Sequence, residues 1–106
     1  MGNNRGSRFG MGHTSLNKHS KAFWEFYEGE MGTIDTPAFI DFILSKTGLE
    51  KLSYIGHSEG TTQMFLGASL LPEYFRQRVN LYVALAPNIS TVQMGKSFLT
   101  EHLKIL

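Results

Sequence analysis

No cysteine occurs among the 106 residues. A disulfide framework, a thiolate zinc site and a cysteine nucleophile are therefore excluded, and the redox compartment leaves no trace in the composition. Long apolar runs are missing as well: none approaches the ~18 residues that a membrane-spanning helix needs. The opening stretch, Met1-Gly2-Asn3-Asn4-Arg5-Gly6-Ser7-Arg8, is polar where a secretory signal would be apolar, so no targeting signal is expected within it. Met1-Gly2 does not make a myristoylation site either, because the sixth residue is Gly6 and Ser7 comes one place late. Charge of one sign is not in excess: 10 Lys and Arg against 9 Asp and Glu leave a formal +1, which argues against a nucleic-acid binder that must neutralise many phosphates. What remains, with 42% hydrophobic residues, is an ordinary globular segment of at most one compact domain.

Residues 1–17 are rich in Gly, Asn, Ser, Arg and His without apolar periodicity, and are expected to form a polar loop. Gly2, Gly6, Gly10 and Gly12 do not make a phosphate cradle, since neither a GxGxxG nor a Walker Lys accompanies them and no strand precedes them. Residues 20–50 are expected to be helical. Ser20 is placed to cap a short helix through Phe23, Trp24 and Phe26, which Gly29 and Gly32 then weaken. A second helix is expected over about 36–47, with Asp35 or Thr36 as cap, Pro37 in the first turn, and Phe39, Ile40, Ile43 and Leu44 on its packing face. Gly48 supplies the left-handed stop.

Residues 51–86 read as strand, helix, strand. Lys51 to Gly56 is β-prone, Thr61 to Leu71 is helical and stopped by Pro72, a short connector carries Tyr74, Phe75, Arg76 and Arg78, and Val79 to Ala86 is a second strand ending at Pro87. Residues 57–78 are long enough for the crossover that a parallel pair requires, so the class is α/β. Both strands are nearly continuous in apolar residues, which predicts helices on both faces and a central place in a parallel sheet. From Asn88 to Leu106 a loop and then a helix are expected, with Phe98, Leu99, Leu103 and Leu106 on one side.

Between the first strand and its helix stands Gly56-His57-Ser58-Glu59-Gly60, a G-x-S-x-G pentapeptide. The spacing has a mechanical reason: a serine on a sharp strand-to-helix turn lifts its hydroxyl above the strand ends, and glycines at the flanking positions remove bulk that would meet neighbouring backbone. The helix that starts after Ser58 also aims its free N–H groups at any oxyanion formed there. A helix-capping serine in a glycine-rich turn is the plainer alternative.

The chain resembles the acid lipase family of α/β-hydrolases, which includes lysosomal and gastric lipases. The resemblance rests on Gly2-Asn3-Asn4-Arg5-Gly6, Phe23-Trp24-Glu25-Phe26, Glu30-Met31 with Asp35 and Pro37-Ala38, and Lys46-Thr47-Gly48. It continues through Tyr54-Ile55-Gly56-His57-Ser58-Glu59-Gly60-Thr61-Thr62 to Ala84-Leu85-Ala86-Pro87, in collinear order over residues 2 to about 87. It implies a partial α/β-hydrolase fold and hydrolysis of lipid carboxylic esters, triacylglycerols or sterol esters, at a lipid–water interface. Ser58 is implied as the nucleophile, the Glu59 N–H as one oxyanion donor, and Gly56 and Gly60 as the elbow glycines. No cofactor is implied, and a secreted or lysosomal location is. The upstream oxyanion loop and the downstream triad Asp and His of the family lie outside these residues, so the chain is expected to be the central segment of one domain, inactive alone, with residues 87–106 beginning the lid or cap.

Departures from the family are specific. Glu59 stands where the family commonly has Gln, and a carboxylate beside a developing oxyanion opposes it unless it turns away or pairs. Gly29 and Gly32 loosen a segment the family keeps helical. After Ser58 there is no Asp; only Glu73, Glu101 and His102 remain, and neither acid is well placed to complete a triad with His102. His57 should face away from the Ser58 hydroxyl, since successive strand residues alternate, and is expected to be packed. His13 and His19 read as surface residues, and no metal site is expected. Arg5 either organises the loop beneath the site or makes an exposed ion pair; Phe23 and Trp24 are expected in the core. Asn88-Ile89-Ser90 is a glycosylation sequon, meaningful only in a secreted chain. Two readings stay open beside the lipase: a non-catalytic interaction fragment, and an α/β-hydrolase acting on another ester, a thioester or an amide.

Overall fold

The computed structural model describes residues 2–89. The expected tail helix, Glu101, His102, Ser90 of the sequon and most of the expected cap segment lie outside the described residues. The element order is a 3-10 turn Lys21–Trp24, a helical segment made of α1 (Glu28–Glu30), a π turn (Met31–Asp35) and α2 (Thr36–Thr47), then β1 (Leu52–His57), α3 (Glu59–Leu70), α4 (Pro72–Arg78) and β2 (Val79–Leu85). β1 and β2 pair in parallel, Tyr54 opposite Tyr82 and Gly56 opposite Ala84, with one irregularity after Leu52. The α/β class and the strand–helix–strand order are those expected.

The helical segment 28–47 begins eight residues before the expected start. Glu30 accepts the Tyr27 N–H at 2.9 Å, which pins the first turn and holds its carboxyl below the usual range. Gly29 and Gly32, expected to weaken the helix, lie inside it. Asp35 and Thr36, expected as caps, have helical backbone and make no capping bond. Pro37 explains the π turn that precedes α2: it has no N–H and its ring crowds the carbonyl one turn back, so the ladder shifts register and the Thr36 N–H reaches the Met31 carbonyl instead. The far end is as expected, with Gly48 at φ 70 and its N–H on the Leu44 carbonyl at 2.9 Å. On α2 Ile40 is buried, but Ile43 is exposed, so the packing face is narrower than the spacing implied.

Gly32 has a tertiary reason. A Cβ there would come within 2.5 Å of the Gln63 carbonyl oxygen, and one at Gly67 would meet the Gly32 carbonyl at 2.5 Å. The π turn and α3 therefore touch backbone to backbone. α3 ends at Leu70, just ahead of Pro72 as expected, and Pro72 then opens α4, where its missing N–H would have had no intrahelical partner. The stretch expected as a connector is thus a helix, and it inserts Phe75 into the core beside Ile40 and Met64.

This core lies on one face of the sheet, where Tyr54 and Tyr82 pack edge to face. On the other face Ile55 and Leu81 are 68% and 54% exposed. The expected double cover is therefore single among the described residues. Tyr74 joins α4 to α2: its hydroxyl lies 2.7 Å from Asp41 Oδ1 and 2.9 Å from the Pro37 carbonyl, and the Arg78 guanidinium stacks over its ring. Burial, followed by the Asp41 carboxylate, pushes the Tyr74 phenol well above its usual range, and burial raises Tyr54 and Tyr82 too.

Two outcomes are expected from this packing. Gly32→Ala should destabilise the fold by about 2 kcal/mol through overpacking, while Gly29→Ala, with open space around it, should be neutral or stabilise by roughly 0.5–1 kcal/mol; urea denaturation measures both. The raised phenols favour the folded state only while neutral. Their contribution is complete below the unfolded tyrosine value of about 10 and is lost as pH rises above it. The denaturation midpoint should fall between about pH 9 and 11, and Tyr74→Phe should flatten that slope.

Candidate active site

β1 ends at His57 and α3 begins at Glu59, so the chain passes from strand to helix through one residue. Ser58 makes that reversal with φ 50 and ψ −113, a conformation that costs a non-glycine residue on the order of 1–3 kcal/mol. Its side chain makes no capping bond to the helix it precedes, and the residue is exposed. The hydroxyl thus stands at the carboxyl ends of both strands, outside the packed core.

The turn closes because Gly56 has no side chain. A Cβ there would meet the Gly60 carbonyl oxygen at 2.7 Å, so the first turn of α3 sits directly on the Gly56 backbone. Gly60 is less confined: a Cβ there would find only the Tyr54 hydroxyl, at 3.9 Å. Polar contacts hold the turn from several sides. The Ser58 N–H donates to the Leu85 carbonyl of β2 at 3.0 Å, Tyr54 donates to the Gly60 carbonyl at 3.1 Å, and Tyr82 to the Thr61 carbonyl at 3.2 Å.

The N–H groups of the first turn of α3 have no acceptor within the helix. Among the described residues the Glu59 N–H donates to no other group. It lies beside Ser58 at the positive end of a 12-residue helix. The Glu59 carboxylate turns along the helix and accepts Gln63 Nε2 at 2.9 Å. Gln63 Nε2 also contacts the Met31 sulfur at 3.5 Å. Of the two outcomes considered for this acid, it pairs.

Glu59 also borders a cleft of ≈580 Å³ whose other walls include Asn4, Arg5, Trp24, Phe26 and Met31. The N-terminal loop forms much of this wall because Arg5 anchors it. Its guanidinium bonds Asp35 through Nε and Nη2 at 2.9 and 2.7 Å, its own N–H donates to Asp35 Oδ2 at 3.0 Å, and it lies over the Phe26 ring. The bonds to Asp35 raise the Arg5 pKa. The Asp35 side chain is only 12% exposed, so of the two readings of Arg5 the organising one describes the structure. The spacing of 30 residues gives no local signal for this pair; only the joint appearance of Arg5 and Asp35 among the resembling residues hinted at it.

Among the described residues none of the other candidates forms a hydrogen bond with Ser58. His57 is exposed on the open face of β1, not packed as expected. Glu73 lies on α4, which leads into the opposite ends of the strands, and pairs with Arg76 at 2.7 Å. His13 is exposed and accepts the Ser15 and Leu16 N–H groups. Phe23 is buried, whereas Trp24 is 48% exposed and faces the cleft. Among the described residues no three His, Asp or Glu side chains converge on a metal-sized site, and no helix is long and apolar enough to cross a membrane.

The sequence profile described as alpha/beta hydrolase fold matches residues 1–102. Human lipase member M is 46% identical over 97 residues, covering 92% of this chain. Human lysosomal acid lipase/cholesteryl ester hydrolase is 44% identical over 87 residues, or 82% of the chain. Bovine gastric triacylglycerol lipase is 40% identical over 101 residues, or 95%. The chain spans 22%, 22% and 25% of the lengths of these relatives.

The anchoring of the cleft wall is open to a direct test. Arg5→Ala leaves a mostly buried carboxylate without its partner and should lower stability by about 3 kcal/mol, with Arg5→Lys recovering only part because it cannot reproduce the fork. Denaturation by urea, with limited proteolysis of residues 2–17 as a local probe, measures the loss.

Proposed function

Because the chain belongs to the alpha/beta hydrolase fold family, we propose that Ser58 is the nucleophile of a lipid carboxylic-ester hydrolase. The observation that carries this reading is the exposed Ser58 hydroxyl on a one-residue strand-to-helix turn, next to the first N–H groups of α3. In the reaction the Ser58 oxygen attacks the ester carbonyl while a histidine from outside the described residues takes its proton. The carbonyl oxygen becomes an anion, held by the Glu59 N–H and the positive helix end. Collapse expels the alcohol, which receives the proton, and water then releases the acyl group as the free acid. Gly56 and Gly60 serve as the elbow glycines, Gly56 by admitting the helix onto the strand.

The substrate class follows from the relatives. Their names specify cholesteryl ester and triacylglycerol hydrolysis, which supports a neutral lipid ester presented at a lipid–water interface here. The words lysosomal and gastric in those names support a secreted or lysosomal location. No cofactor is needed for this chemistry. On this reading the residues that complete the site, a triad Asp and His among them, come from outside this segment, which spans only 22% to 25% of the relatives' lengths. Alone, the segment has no general base in reach of Ser58 among the described residues, so it should be nearly inert.

A fluorophosphonate ester probe tests the reading. The full-length protein should be labelled stoichiometrically at Ser58, and Ser58→Ala should abolish labelling and lower ester hydrolysis by about 10⁴-fold or more. The isolated 106-residue segment should react far more slowly. Labelling of the full-length protein elsewhere, with Ser58→Ala fully active, would overturn the assignment. A preference for acetate over long-chain p-nitrophenyl esters would count against a lipid substrate.

A further inference from the structure

Thr61 occupies an unusual place in the polar contacts around the elbow. It is fully buried, at 0% exposure, although it lies only three residues after an exposed serine. Its N–H and its hydroxyl both donate to the Ser58 carbonyl, at 2.9 and 2.6 Å. The same hydroxyl oxygen accepts the N–H of Asn88 at 2.9 Å, from the segment that follows β2. Thr62 answers from the next position, its hydroxyl donating to the Asn88 carbonyl at 2.7 Å.

The segment reached in this way is itself strained. Ala86, immediately after β2, has φ 47, so Ser58 and Ala86 are the two non-glycine residues at positive φ among the described residues. They stand side by side, because the Ser58 N–H donates to the carbonyl of Leu85. Neither peptide reversal is held by local preference, since the left-handed region disfavours both side chains. Each is held by hydrogen bonds, and those of Thr61 join one to the other. A buried hydroxyl that both donates and accepts is required for this. Valine has the shape and neither function, whereas serine keeps both.

We propose that Thr61 is a positioning residue for the Ser58 nucleophile, clasping the elbow to the Ala86–Asn88 turn so that the Ser58 carbonyl, and with it the hydroxyl and the Glu59 N–H, keep one orientation. This rests on the reading of Ser58 as the nucleophile. Loss of the clasp lets Ser58 relax toward an ordinary backbone conformation, and displacement of a reacting group by about 1 Å lowers rate on the order of a hundredfold without removing any group that touches substrate. The signature is a fall in kcat with KM retained.

The test uses the full-length protein with Thr61→Val and Thr61→Ser, read by fluorophosphonate labelling rate at Ser58, by kcat and KM on a p-nitrophenyl ester, and by amide hydrogen exchange at Asn88. Thr61→Val should slow labelling and lower kcat by about tenfold to a hundredfold, leave KM within about twofold, and speed Asn88 exchange by about tenfold or more. Thr61→Ser should restore all three to within about threefold of the parent. Labelling and exchange in Thr61→Val equal to the parent would overturn the inference and leave the nucleophile assignment standing. Absence of labelling at Ser58 in the parent would overturn the nucleophile assignment and this role together. Should Thr61→Val fail to fold, Thr61→Ser decides alone: near-parent rates and exchange support the clasp, and a tenfold loss overturns it.

Discussion

The chain turns from strand to helix at a single residue, and the backbone of Ser58 must enter a region that side chains disfavour for this to happen. Everything around it accommodates that constraint. Gly56 lets the first turn of α3 rest on β1, and the two tyrosines at the buried face of the sheet hold the carbonyls of that turn from below. β2 receives the Ser58 N–H, so the pairing of the two parallel strands and the conformation of the exposed serine are coupled. A strained residue persists only where its surroundings over-determine it, and here α3 through Thr61 and β2 through Leu85 each bond Ser58 directly.

A second constraint sets the wall of the cleft. The helical segment 28–47 runs through a π turn because Pro37 cannot continue the ladder, and the same turn presents Asp35 sideways to Arg5 and Gly32 to the backbone of α3. The N-terminal loop, which has no regular structure, is thereby fixed beside the elbow. Glu59 stands at the junction of the two. Its carboxylate, where the resembling lipases commonly have Gln, is drawn to Gln63, and its N–H is left at the positive end of the helix next to the serine.

Much of this is legible in the sequence alone. The helix ending at Gly48, both strands and the elbow pentapeptide carry their reasons in adjacent residues: a left-handed glycine stop, β-prone apolar runs, and small residues at fixed offsets. The misreadings share one cause. Gly29 and Gly32 look like helix breakers, Asp35 like a cap and the stretch after Pro72 like a connector only if neighbours in sequence decide. In the folded chain Gly32 is demanded by α3, Asp35 by Arg5, and Pro72 opens α4 so that Phe75 can reach the core. Thr61 gave no local sign at all, since its partners lie three residues back and 27 ahead.

By itself the sequence determined the class of fold and the turn at which the proposed nucleophile stands, because strand period, helix stops and the glycine-flanked serine are short-range patterns that survive without a partner. Only the tertiary structure decided what holds that serine and what stands beside it. The bonds from Thr61 to Asn88, from Arg5 to Asp35 and across the Gly32–Gly67 crossing join residues far apart in the chain. Such contacts depend on where distant segments are placed, and no local spacing encodes that placement.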